Sequence, residues 1–75
     1  VIEINGFTDN IGAANDNILL SENRAKAVYD LITASGISAS ELSYNGYGEQ
    51  FPKADNATEK GRANNRRTEF KIIRQ

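Results

Sequence analysis

The chain is 75 residues long, enough for one small domain with a thin core. It has no cysteine and no histidine, which removes disulfides, thiolate chemistry and the commonest general base and metal ligand, so neither a metal nor a cofactor is expected. Nine basic residues against ten acidic ones give a net charge of -1, which argues against nucleic acid or anionic lipid as a partner, and no apolar run approaches the roughly 20 residues that would insert across a membrane.

Val1 to Asn5 alternate Val/Glu/Asn against Ile/Ile, a period of two that predicts a half-buried strand. The chain therefore opens in what reads as the middle of a strand, and a piece of a longer protein is expected. Gly6 to Ala14 is loop by composition. From about Asn15 the pattern turns helical and runs to Ser35, where Gly36 supplies the stop. "GISASEL" is a connection, with Ile37 packing back on the helix end. Leu42 to Gly48 reads as a second strand. In "EQFPKADN" the only proline makes Phe51 extended. Asn56 to Glu59, "NATE", resembles a capping box and starts a short helix through "KGRANNR". Thr68 to Arg74 is a final strand with Phe70 and Ile72 on one face. The order predicts an α/β sandwich, a small mixed sheet with helices packed on one face. No repeat, low-complexity tract or internal boundary divides residues 1–75.

The long helix carries the most informative pattern. At about 100° per residue, Leu20, Ala27, Val28, Leu31 and Ile32 share one arc, read as the buried stripe. Asn17 and Arg24 fall near its centre and Ser21 inside it. An unpaired buried guanidinium is costly. Arg24 therefore needs a carboxylate, from the protein or from a ligand. Asp9, on the loop feeding this helix, is the nearest candidate. Two readings stand side by side. Asp9 and Arg24 bridge each other and tie loop to helix, or they form a bipolar site for a ligand bearing an ammonium and a carboxylate on one carbon.

"GRANNRR", Gly61 to Arg67, reads first as a solvated basic patch at a helix C-terminus, with Arg66 or Arg67 able to turn towards the cleft of Arg24. No two carboxylates have a spacing suited to acid/base work, and Ser21 and Ser43 lack a histidine to activate them. A catalytic role is not expected. The tyrosines, with Phe7 and Phe51, are read as core or core-edge.

"GFTDNIG", "NILLSENRAKAV" and "GYGEQFPKADNATEKGRANNRRTEF" together resemble the OmpA-like peptidoglycan-binding domain, the periplasmic module of OmpA-type porins, peptidoglycan-associated lipoprotein and MotB. The family pattern runs Gly-His-Thr-Asp, Asn-x-x-Leu-Ser-x-x-Arg-Ala, Gly-x-Gly with a downstream proline, then Gly-Arg-x-x-Asn-Arg-Arg. The resemblance implies a βαβαβ core lacking the family's first strand and helix, so residues 1–75 would be the C-terminal two-thirds of the domain. It implies non-covalent binding of peptidoglycan through the diaminopimelate of the stem peptide, anchoring the outer membrane or a membrane complex to the wall. The implied location is the periplasmic face of the outer membrane of a Gram-negative bacterium. The ligand-binding residues carried over are Asp9, Arg24, Asn17 and Arg67, with Thr8 as a secondary contact. The family's histidine is Phe7 here, an aromatic of similar volume. A missing upstream wall would leave a sheet edge that invites self-association.

Overall fold

A computed structural model describes residues 1–73. Six segments follow in chain order: β1 (Ile2–Phe7), α1 (Ala14–Ala34), a 3-10 turn (Ala39–Glu41), β2 (Leu42–Gly46), α2 (Glu59–Asn65) and β3 (Arg67–Ile72). The sheet order is β2-β1-β3. β1 runs parallel to β2, with Ile2 opposite Leu42 and Gly6 opposite Gly46. It runs antiparallel to β3, with Ile2 opposite Ile72 and Phe7 opposite Arg67. The mixed α/β architecture is the expected one. The loops after β1 and β2 and the α2–β3 junction therefore gather at one end of the sheet. Residue Arg74, which the sequence reading placed in the last strand, lies outside the described residues.

Helix α1 crosses from β1 to β2 and packs on both. Its contact is backbone against backbone. A methyl group on Gly6 would stand 2.3 Å from the Ser21 carbonyl oxygen, and one on Gly46 would stand 2.4 Å from the Glu22 nitrogen. Small residues are what allow so close an approach. Ser21, fully buried, closes the seam: its Oγ donates to the Ile18 carbonyl at 2.8 Å and accepts from the Gly48 N–H at 2.9 Å.

This seam corrects the predicted stripe. The buried positions of α1 are Asn17, Ser21 and Ala25, while Leu20, Arg24, Ala27 and Leu31 are exposed, Leu31 at 71 %. The helix is rotated so that its small side meets the glycines. Its larger apolar residues Leu20 and Leu31 stay exposed, as do Phe70 and Ile72 of β3, which share the α1 side of the sheet with Ile4 and Ile2. The buried set is correspondingly polar: Asn5, Thr8, Asp9, Asn17, Ser21 and Asn65 accompany Ile4, Phe7, Ala25 and Leu42. Among the described residues no buried side-chain polar atom lacks a partner, as burial requires.

Three further expectations change. Gly36 ends α1 with φ 109°, as expected, but Ile37 remains 45 % exposed. The cap of α2 is Thr58, whose hydroxyl accepts from the Gly61 N–H at 3.0 Å; Asn56 instead accepts at Oδ1 from Asn65. Phe51 is not extended: its φ is 57° and its ring is 66 % exposed. The preference imposed by Pro52 is overridden by the hydrogen bond from Arg67 Nη2 to the Phe51 carbonyl, 3.0 Å, and by edge-on packing of the ring on Tyr47. Among the described residues no helix is long and apolar enough to cross a membrane.

Candidate functional site

The site begins where β1 runs out. Thr8 and Asp9 continue past the strand and are buried. The Thr8 N–H donates to the Gly48 carbonyl at 2.7 Å, which fastens this loop to the end of β2. The Thr8 hydroxyl donates to the Asp9 carbonyl at 2.8 Å. Asn17, on the first turn of α1, donates from Nδ2 to the Asp9 carbonyl at 3.4 Å and to the Ile11 carbonyl at 3.0 Å. Both amide hydrogens are thereby used, while its Oδ1 accepts no hydrogen bond among the described residues. Gly12, at φ 91°, turns the chain into α1.

These contacts fix the Asp9 carboxylate. Oδ1 accepts from the Ile11 N–H at 3.0 Å, and Oδ2 accepts from Arg66 Nη1 at 2.8 Å. The Asp9 side chain is 11 % exposed. The Ile11 N–H and then Arg66 hold its carboxyl below the usual carboxylate range, and the charged form prevails against the opposing cost of burial. Arg66 extends its second terminal nitrogen to Glu59 Oε1, also at 2.8 Å. Glu59 in turn holds Arg62, whose Nη2 lies 3.2 Å from Oε2. Its carboxyl is also held low, by Arg66 first.

The sign of the acid response follows. A carboxylate depressed in the folded state adds stability in full above its unfolded value, about 3.9. That contribution is lost as pH falls through the lower folded value. Acid unfolding followed by circular dichroism should show it: Asp9→Asn should flatten the dependence below about pH 4. An unchanged acid limb in that variant would remove Asp9 from this role.

The sequence-derived site residues divide. Thr8, Asp9 and Asn17 come together in one hydrogen-bonded loop–helix junction. Arg24 lies seven residues beyond Asn17 on the same side of α1, roughly 10 Å along the axis. It is exposed, and among the described residues it forms no ion pair. The Asp9–Arg24 bridge is therefore absent: Asp9 pairs with Arg66. Arg67 stands apart from this cluster. Its guanidinium lies 3.9 Å above the ring of Phe7 and bonds Glu69 and the Phe51 carbonyl. Phe7 itself is buried and stacked on Tyr47. Consecutive side chains at the helix-to-strand switch leave in different directions, so Arg66 rather than Arg67 reaches Asp9. Glu59 and Arg66 were missed as a unit; their spacing of two helical turns puts them on one face and was the available signal.

The OmpA family matches the chain over residues 1–66. The chain is 45 % identical over 71 residues to the peptidoglycan-binding protein ArfA of Mycobacterium tuberculosis, covering 95 % of this chain and 22 % of ArfA. It is 45 % identical over 74 residues to outer membrane porin F of Pseudomonas fluorescens, covering 99 % of this chain and 23 % of the porin. The chain thus spans less than a quarter of the length of either relative. Among solved structures, the C-terminal domain of Helicobacter pylori MotB superimposes with a TM-score of 0.90 at 30 % identity, over 99 % of this chain and 57 % of that one.

Proposed function

The chain belongs to the OmpA family, and on that premise we propose that it binds cell-wall peptidoglycan non-covalently, through the diaminopimelate of the stem peptide. Such binding would anchor an outer membrane or a membrane complex to the wall from the periplasmic side. The name of the ArfA relative and the outer-membrane porin among the relatives support this reading. The observation that carries it is that Asp9, fixed by the Ile11 N–H and held in its charged form, and Arg24, exposed and with no ion pair among the described residues, lie at the loop and along the Asn17 side of the helix that follows it.

Diaminopimelate ends in an ammonium and a carboxylate on one carbon. Asp9 would accept from the ammonium, helped by the free Oδ1 of Asn17. Arg24 would fork the carboxylate; helical side chains lean towards the N-terminus, which is the Asp9 end. Thr8 would hold the loop backbone in place, and Arg67 would support the site through the Phe51 loop. An analogue lacking either charge would leave its protein partner unpaired, which gives the site its selectivity. No bond is made or broken in this role. The outer edge of β3, which pairs with no strand among the described residues, has Phe70 and Ile72 exposed beside it and would add a surface for pairing with a second strand.

The rival reading is a purely structural module, favoured by the internal Asp9–Arg66 bridge. Arg24→Ala separates the two. The side chain is exposed and forms no ion pair among the described residues, so thermal stability should change by less than about 0.5 kcal/mol. Affinity for a diaminopimelate muropeptide should drop about 30-fold or more, the scale of a truncated charged anchor. NMR titration would locate the contacts at Thr8 to Gly12 and Asn17 to Arg24. A wild-type chain that shows no shifts there defeats the proposal.

A further inference from the structure

We propose that Arg66 is a built-in competitor for the ligand's ammonium, and that Glu59 receives Arg66 when the ligand enters. The inference rests on the reading of Asp9 as ammonium acceptor. Its basis is the way one guanidinium is strung between two unlike carboxylates. Nη1 lies 2.8 Å from Asp9 Oδ2, and Nη2 lies 2.8 Å from Glu59 Oε1. The Asp9 side chain is 11 % exposed and that of Glu59 is 67 % exposed.

The asymmetry gives the pair a direction. Asp9 is the carboxylate an ammonium needs, and it is already neutralised. A cation arriving at Oδ2 replaces Nη1 with no change of charge at Asp9. Arg66 keeps its second contact and pivots onto Glu59, where solvent offsets much of the cost of holding it. Glu59 itself is steadied by Arg62, which is also anchored through Nη1 to the Asn56 carbonyl at 2.9 Å. The Ile11 N–H stays on Oδ1 throughout, so the loop need not move. A ligand with a neutral group in place of the ammonium gains nothing from the exchange, because dislodging Arg66 would leave a poorly solvated carboxylate without a cation. Arg66 thus sets a threshold that only a cationic group passes, and Glu59 sets its height.

The test is calorimetric titration of the chain with two probes: a diaminopimelate muropeptide, and the same muropeptide acetylated on the diaminopimelate amine. Glu59→Gln removes the receiving charge, and Arg66 then rests on Asp9 alone. Affinity for the free-amine probe should fall about two- to fivefold, the size of one exposed ion pair, with no change for the acetylated probe. Arg66→Gln should tighten the free-amine probe, because no guanidinium then competes for Asp9 Oδ2. Glu59 is exposed, so Glu59→Gln is informative even if Arg66→Gln fails to fold. Wild-type affinity for both probes in Glu59→Gln, or weaker free-amine binding in Arg66→Gln, would reduce Arg66 to a strut. A wild-type chain that binds neither probe removes the parent reading and this one together.

Discussion

Asn65→Ala is expected to cost about 3 kcal/mol, because one fully buried side chain makes four hydrogen bonds and each orphaned partner carries a desolvation penalty. Its Oδ1 accepts from the Lys53 and Ala54 N–H groups, both at 2.8 Å. Its Nδ2 donates to the Ala54 carbonyl at 2.9 Å and to Asn56 Oδ1 at 2.7 Å. Asn65 is the last residue of α2, so this single amide ties the helix end to the loop that precedes it. Without it the 53–56 segment loses its template, and Arg66, the next residue, loses its aim at Asp9. In urea the midpoint should fall with an unchanged slope, which reports lost stability rather than a looser unfolded state. Asn65→Asp is the informative companion. It keeps the acceptor and turns two donations into oxygen–oxygen contacts, so it should recover half the loss at most. A cost below about 1 kcal/mol for Asn65→Ala, the worth of one ordinary hydrogen bond, would refute the assignment.

Gly46→Ala should be comparably severe for a different reason. The added methyl would sit 2.4 Å from the Glu22 nitrogen, 2.6 Å from its Cα and 2.7 Å from its Cβ. These are atoms of α1 that cannot turn aside as a flexible side chain could. The helix must lift from β2, opening the seam closed by Ser21 and Gly48. Overpacking of this kind costs about 1–3 kcal/mol, and backbone as the obstacle argues for the upper end. In a domain of this size that is a drop of roughly 12 °C or more in Tm. Gly36→Ala is the control: no atom lies near its added methyl, and it pays only for its φ of 109°. Equal melting shifts for the two would mean that close packing on α1 is not what Gly46 supplies.

Much of the fold was legible because periodicity reports which local structure a segment prefers. β1, α1 and β3 follow from patterns of two and of 3.6, and Gly36 ends α1 as its position suggests. What the pattern could not show is how close two elements come. Leu20 and Leu31 were read as core because they are apolar, but Gly6, Gly46 and Gly48 draw the helix in on its small side, and Ser21 and Asn17 are buried in their place. Hydrophobicity locates a stripe only when large side chains make the interface. The site shows the same limit. Asp9, Asn17 and Thr8 are near in sequence and meet as expected. The partner of Asp9 lies 57 residues away, and choosing Arg66 over Arg67 depends on how a helix hands over to a strand, which neighbouring identical residues conceal. Phe51 shows a local rule losing to distant contacts, since the preference of a residue before proline gave way to Arg67.

The position of β1 has a mechanical consequence. It is the central strand, hydrogen-bonded along both edges, with Val1 at one end and the Thr8–Asp9 loop at the other. On the proposed reading, a ligand held at Asp9 and a pull applied at Val1 would put tension along the axis of that strand. Pulled this way, the load runs through the covalent backbone of β1 itself, and the ladders on either side hold that strand extended without having to carry the force. On that reading, a grip at the far end of the middle strand would pass its load along covalent bonds rather than across the sheet.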